Sequence, residues 1–134
     1  MYRTFTKTLA LVVLVATSFT ACKKDKDEAV ALTKENLAGT YKISAATLNG
    51  ADFFQTWDAC EKDDLYKLNS DLTYAREDAG TTCSNEESGT WSLPGNSKIV
   101  IYGDEYTVEK FDGKTLIVFA TDSGITYKVT YSKQ

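Results

Sequence analysis

The chain contains no histidine, one proline, one methionine and three cysteines among its 134 residues. Without histidine, Ser-His-Asp and Cys-His nucleophiles are excluded, and with them most zinc sites. There is no basic excess either: 15 Lys+Arg stand against 19 Asp+Glu, a net charge of −4. A phosphate backbone needs a basic face, so nucleic acid is not an expected partner. Cys-x-x-Cys, a Gly-rich phosphate loop, Gly-x-Ser-x-Gly and a calcium loop are all missing from the sequence. Three adjacent carboxylate pairs do occur, Asp63-Asp64, Glu86-Glu87 and Asp104-Glu105. They fall at expected loops or turns, where charge is usually solvated. Neighbours on a strand point to opposite faces, so none forms a catalytic carboxylate dyad by itself. No cofactor or metal is implied, and the expectation is binding rather than catalysis. What is present, 43% hydrophobic and 25% charged residues, is the composition of one folded globular domain.

Long apolar runs are scarce, and the clearest lies at the start. Arg3 and Lys7 precede Leu9-Ala-Leu-Val-Val-Leu-Val-Ala16, which extends weakly to Phe19. This is the charged and apolar order of a bacterial secretory signal, and it is shorter than the roughly 20 residues of a membrane span. A buried N-terminal helix is the competing reading; the polar segment that follows favours export. Phe19-Thr20-Ala21-Cys22 resembles a lipobox, the cleavage and lipidation site of bacterial lipoproteins, with Phe where Leu is usual. That resemblance implies a signal peptide over residues 1–21 and an acylated Cys22, palmitate among its chains, that anchors the protein to a membrane. Each buried CH₂ contributes roughly 0.8 kcal/mol, so several chains hold a domain durably. The alternative is ordinary signal cleavage beside an unmodified cysteine. Loss of Arg3 and Lys7 with the signal takes the net charge from −4 to −6. Residues 22–32 then form a tether, in which Lys23-Lys-Asp-Lys-Asp-Glu28 is too charged to pack. It resembles sorting signals of outer-membrane lipoproteins in Bacteroidetes, and reads equally as a plain linker.

Export puts Cys60 and Cys83 in an oxidising compartment, where they are the one intramolecular pair left once Cys22 is acylated. A bridge closing a loop of about 24 residues stabilises by roughly 3.5 kcal/mol in the chain-entropy model. Two reduced thiols are the alternative.

The remaining sequence, residues 33–134, reads as a β-meander. Leu32 to Gly39 predicts one or two helical turns, with Thr33 as cap and Gly39 as stop. Runs of β-branched and aromatic residues then predict strands over 40–48, 64–68, 72–77, 88–93, 97–102, 105–111, 114–120 and 124–132. Turn chemistry separates them at Asn69-Ser-Asp71, Pro94-Gly-Asn96, Gly103-Asp104, Asp112-Gly113 and Asp122-Ser-Gly124. In the last strand Ile125, Tyr127, Val129 and Tyr131 alternate with polar residues, as one buried face requires. Eight sequential strands on tight turns predict an all-β fold, an eight-stranded antiparallel up-and-down barrel, with a two-sheet sandwich as the alternative. Asn49 to Asp63 is the longest irregular stretch; its Phe53, Phe54 and Trp57 are expected to pack over one barrel end as a lid or short helix.

Several short motifs fall in a familiar order. Gly39-Thr-Tyr41 opens the first strand after a helical turn, as Gly-x-Trp does in lipocalins, whose aromatic ring plugs the closed end. Cys60, the acidic Asp63-Asp64, the aromatic strand Leu65-Tyr-Lys-Leu68, the turn Asp71-Leu-Thr73, Cys83 and Gly89-Thr-Trp91 follow. Together these resemble the small lipocalin-like lipoproteins of Bacteroidetes over residues 33–132, with Leu72 in place of the turn glycine. The resemblance implies a barrel able to hold a small apolar ligand.

Seven tyrosines follow Cys22. The pattern places Tyr41, Tyr127 and Tyr131 inward, together with Tyr66, Tyr74 and Tyr106, either filling the core or giving a ligand an apolar wall with an orienting hydroxyl. Arg76 shares the face of Tyr74; an inward guanidinium would pair with a carboxylate of the protein or of a ligand. A small hydrophobic or amphipathic ligand is therefore the expected partner of a monomer at the outer membrane. The second reading is a surface module that meets a protein or glycan through its disulfide-tied loops, with a filled barrel and an exposed patch at Phe53, Phe54 and Trp57.

Overall fold

The computed structural model describes residues 30–134, so the expected signal peptide, Cys22 and most of the tether lie outside the described residues. A single helical turn, α1 (Lys34–Leu37), leads into the strands β1 (Gly39–Leu48), β2 (Ala51–Asp52), β3 (Leu65–Leu68), β4 (Thr73–Glu77), β5 (Glu87–Gly95), β6 (Lys98–Ile101), β7 (Asp104–Phe111), β8 (Thr115–Asp122) and β9 (Ile125–Lys133). The Thr33 hydroxyl caps α1 by accepting from the Asn36 amide. A second short helix, α2 (Ala59–Lys62), follows a 3-10 turn at Phe54–Thr56.

Every strand pair is antiparallel, in the order β1-β3-β4-β5-β6-β7-β8-β9. The ring closes where β9 returns to β1, from Tyr41↔Lys133 to Leu48↔Tyr127. This pairing decides for the closed barrel over the sandwich, and the eight barrel strands fall within two residues of the expected bounds. The ninth strand, β2, is a two-residue extension folded onto the end of β1 across Asn49-Gly50. Both of these residues have positive φ, 49° and 82°, the left-handed pair of a primed hairpin turn. That Asn-Gly signal lay inside the stretch expected to be irregular.

The same turn geometry recurs at Asn96-Ser97, Tyr102-Gly103 and Ser123-Gly124, all with positive φ. The β6–β7 turn therefore sits one residue earlier than the expected Gly103-Asp104. Glycine accepts the positive φ of the second turn position without a Cβ penalty, and this shift makes Asp104 the first residue of β7, opposite Ile101.

Side chains alternate in and out along each strand. The inward set at one end of the barrel (Leu37, Tyr41, Trp91, Ile99, Leu116 and Val118) is at most 1% exposed and forms a filled core. Strand direction puts the first residues of β1, β8 and the last of β3 at this end. The opposite end gathers the ends of β1, β4, β6 and β8 with the long connections 49–64 and 78–86.

Candidate functional site

The closed end is built first. Tyr41 is 1% exposed, and its hydroxyl donates to the Leu37 carbonyl at 2.6 Å, tying α1 across the bottom of the barrel. Trp91 is equally buried and donates its indole N–H to the Asn69 carbonyl at 2.9 Å. Burial pushes the Tyr41 hydroxyl up to about 12. Above this plug is a void of about 10 Å³, room for one water at most.

Beyond it the barrel opens. A cavity of about 410 Å³ is walled by Ile43, Trp57, Tyr66, Tyr74, Arg76, Glu87, Ile101, Tyr102, Asp104, Tyr106, Tyr127, Val129 and Tyr131. That volume is within the range of small-molecule pockets, roughly 300–1,000 Å³. Six of the seven residues expected to face a ligand line it: Tyr66, Tyr74, Arg76, Tyr106, Tyr127 and Tyr131. Tyr41 is the exception and belongs to the plug, facing the small void rather than the cavity. Tyr66, Tyr74, Ile101 and Tyr131 border both spaces and make the partition between them.

Edge-to-face contacts hold the aromatic walls. Tyr66 and Tyr131 stand with centroids 5.5 Å apart, and Tyr41 meets Tyr131 at 6.4 Å. Burial raises the hydroxyls of Tyr66, to about 12, and of Tyr106, Tyr127 and Tyr131. Tyr74 is raised by burial and then by its 2.9 Å hydrogen bond to the Glu87 carboxylate. All of these phenols are neutral donors at physiological pH.

The charged members of the wall are arranged unevenly. Arg76 Nε and Nη2 both donate to Oδ2 of Asp64, at 2.8 and 2.7 Å, and Asp64 is fully buried. Burial works against the Arg76 charge, but the hydrogen bond and charge of Asp64 outweigh it, and the guanidinium is raised above its ordinary value. The guanidinium also stacks 5.5 Å from the Tyr66 centroid. Asp64 is thus the protein carboxylate that an inward Arg76 requires. This corrects the expectation that Asp63-Asp64 is solvated. The pairing of Tyr66 with Arg76 across β3 and β4 brings the guanidinium over the start of β3. Asp63 is also engaged, accepting the Thr81 amide at 2.8 Å. Glu87 lies opposite Arg76 across β4 and β5, with its carboxylate on Tyr74.

The mouth is framed by the two long loops. Cys60 and Cys83 form a disulfide with Cα atoms 5.5 Å apart, joining α2 to the 78–86 loop. Asp78 accepts the Cys83 amide at 2.8 Å, and a capping box at Asp58 and Glu61 fixes the start of α2. Phe53, Phe54 and Trp57 do form the expected lid. Phe54 and Trp57 meet at 5.3 Å, Phe53 packs on Tyr127 at 6.4 Å, and Trp57 faces the cavity. Phe53 remains 37% exposed.

Sequence reasoning missed Trp57, Glu87, Tyr102 and Asp104 as parts of the wall. Tyr102, in the β6–β7 turn, leans over the rim beside Tyr74, with centroids 6.0 Å apart. Gly89 makes this possible: a Cβ there would stand 2.6 Å from the Tyr102 ring. The shifted turn also carries Asp104 to the rim.

The family model of the lipocalin-like domain matches residues 37–118. The chain belongs to the lipocalin-like domain family. The match runs from the end of α1 into β8, and β9, which closes the ring, lies beyond it. No curated protein and no solved structure matches the chain significantly. A lipocalin-like barrel is typically a binding fold rather than a catalytic one, and here it is consistent with a small ligand held inside.

Proposed function

We propose that this protein is a cell-envelope lipoprotein whose lipocalin-like barrel binds one small hydrophobic or amphipathic molecule, as a monomer and without catalysis. The cavity of about 410 Å³ carries the reading: aromatic rings and aliphatic side chains wall it, and phenol hydroxyls with the charges of Arg76, Glu87 and Asp104 give it a polar surface as well, which suits an amphipathic molecule. A filled barrel would have left only the outer surface to act. The Cys60–Cys83 bridge and the lid keep the mouth in shape, so little ordering accompanies entry of a ligand. The anchor rests on the lipobox-like Phe19-Thr-Ala-Cys22 and the charged tether, and sets the barrel at the surface of an outer membrane.

Native mass spectrometry after gentle purification is expected to show a retained small molecule, or one-to-one uptake of an apolar fluorescent dye. Val129→Phe, which fills the cavity from β9, is expected to lower dye affinity at least tenfold with the barrel still folded. Dye binding unchanged by that substitution would count against an internal site. For the anchor, Cys22→Ala is expected to abolish acyl labelling and membrane retention.

A further inference from the structure

The charges of the cavity wall do not balance, and the imbalance has a side. Arg76 is the one cation that lines the cavity among the described residues, and two of its nitrogens are committed to the buried Asp64. That pair is neutral as a unit. Glu87 and Asp104 remain, and no ion pair within the described residues neutralises either one. Lys62, the lysine of α2, turns away to the Gln55 carbonyl and the Phe54 ring.

The ring order fixes where these carboxylates stand. In the sequence β1-β3-β4-β5-β6-β7-β8-β9, the strand across the barrel from β5, which carries Glu87, is β9, the strand across from β7, which carries Asp104, is β3, and β1 lies between those two. Glu87 opens β5 and Asp104 follows the β6–β7 turn, with Tyr74, Tyr102 and Tyr106 around them. The facing wall supplies Ile43 from β1, Tyr66 from β3 and Tyr127, Val129 and Tyr131 from β9, and none of these is charged. One side carries the carboxylates, the other is aromatic and aliphatic without charge. Ring faces attract cations, more strongly where water is excluded, and a carboxylate beside them adds charge.

We propose that the cavity takes a cationic amphiphile, an amine or quaternary ammonium group on an apolar body, with the cation at the Glu87–Asp104 rim and the body against Ile43 and Val129. This deepens the ligand-binding reading and rests on it. An anionic ligand would meet the carboxylates of Glu87 and Asp104 and find only the donors that Arg76 has left beside its pair with Asp64.

Three probes of one shape separate the possibilities: 4-phenylbutylamine, 4-phenylbutanol and 4-phenylbutyrate, titrated calorimetrically into the full chain. The amine is expected to bind at least tenfold more tightly than the alcohol, and the carboxylate most weakly. Glu87→Gln with Asp104→Asn is expected to erase the amine's advantage and leave the alcohol's affinity within about twofold. The amide oxygen introduced in place of the Glu87 carboxylate can still accept from Tyr74, and Asp104 is exposed, so the variant should keep its circular dichroism spectrum and melting point. Equal affinities, or a preference for the carboxylate, would overturn the cation assignment while the ligand-binding reading stands. An amine advantage that survives the double substitution would equally overturn it. No binding of any probe would overturn both.

Discussion

Tyrosine and tryptophan serve both ends of this barrel, and the ends differ in what surrounds those rings. At the closed end Tyr41 and Trp91 are each 1% exposed, and each gives its polar hydrogen to a backbone carbonyl. Nothing is left over for a ligand. At the open end Tyr102 is 52% exposed, Trp57 is half-buried, and the phenols border a cavity of about 410 Å³. The difference is one of partners rather than residue type. A ring whose polar atom and faces are both satisfied by the protein is structural; a ring with a free face on an open cavity is available. Amides donate to loop carboxylates at both ends, to Asp71 and Asp112 at the closed end and to Asp63 and Asp78 at the open one, but only the open end adds a disulfide.

The largest expected effect separates the two ends directly. Trp91→Ala should destabilise the fold by about 3–5 kcal/mol, because it empties a closed, close-packed site and removes the indole hydrogen bond to the Asn69 carbonyl. Tyr127→Ala should cost about 1–2 kcal/mol, since its ring already borders open space and its removal adds no sealed void. Its effect should instead fall on ligand affinity. Urea denaturation of both variants checks this; equal losses of stability would mean that the cavity wall is packed as tightly as the plug.

A second test uses pH. Tyr41 and Tyr66 are raised from 10.0 to about 12, and Tyr106, Tyr127 and Tyr131 are raised as well, all chiefly by burial. The unfolded chain loses these protons near the ordinary value while the folded chain keeps them. Stability should therefore be unaffected by these groups below pH 10 and fall steeply between 10 and 12, by on the order of 2–3 kcal/mol for each of Tyr41 and Tyr66 once both states differ fully. Absorbance of tyrosinate against pH, read beside the melting temperature, distinguishes late, cooperative ionisation from independent titration near pH 10. Tyr66→Phe should remove part of the loss.

Much of the architecture was legible because it depends on local chemistry. Alternation in Ile125 to Tyr131 and the turn residues between strands located each barrel strand, and the two late cysteines could be paired by elimination. The wall of the site was less so, for two physical reasons. Asp64 and Arg76 are twelve residues apart, and only the β3–β4 register shows that the buried carboxylate belongs to that guanidinium. Asp104 and Tyr102 depend on a one-residue shift of a turn, which takes Asp104 out of the loop to open β7 and puts Tyr102 in the turn at the rim. Tyr41 was placed inward correctly, yet alternation along a strand says nothing of depth along the barrel axis. Depth is what separates a plug from a binding wall. The Asn49-Gly50 pair did carry a readable hairpin signal for β2, which the length of the surrounding loop obscured.

The smallest expected effect concerns the hairpin under the plug. Leu72 occupies the place where the lipocalin-like pattern has glycine, and its φ is 70°. Its amide donates to the Asn69 carbonyl and its own carbonyl accepts from the Trp91 amide, both at 2.9 Å, so the turn keeps the geometry that glycine would favour. Asp71 helps to hold it there by accepting from both the amide and the hydroxyl of Thr73. A left-handed conformation costs an L-residue about 1–2 kcal/mol, against about 0.5–1 kcal/mol of extra chain entropy for glycine. Leu72→Gly should thus stabilise by up to about 1 kcal/mol and raise the melting temperature by about 4 °C. Leu72→Ala keeps a Cβ and the same strain, so it should give no gain. If both substitutions stabilised equally, the exposed leucine side chain rather than its backbone would be the source of the cost, and the closed end would owe its stability to packing around a turn that is not strained at all.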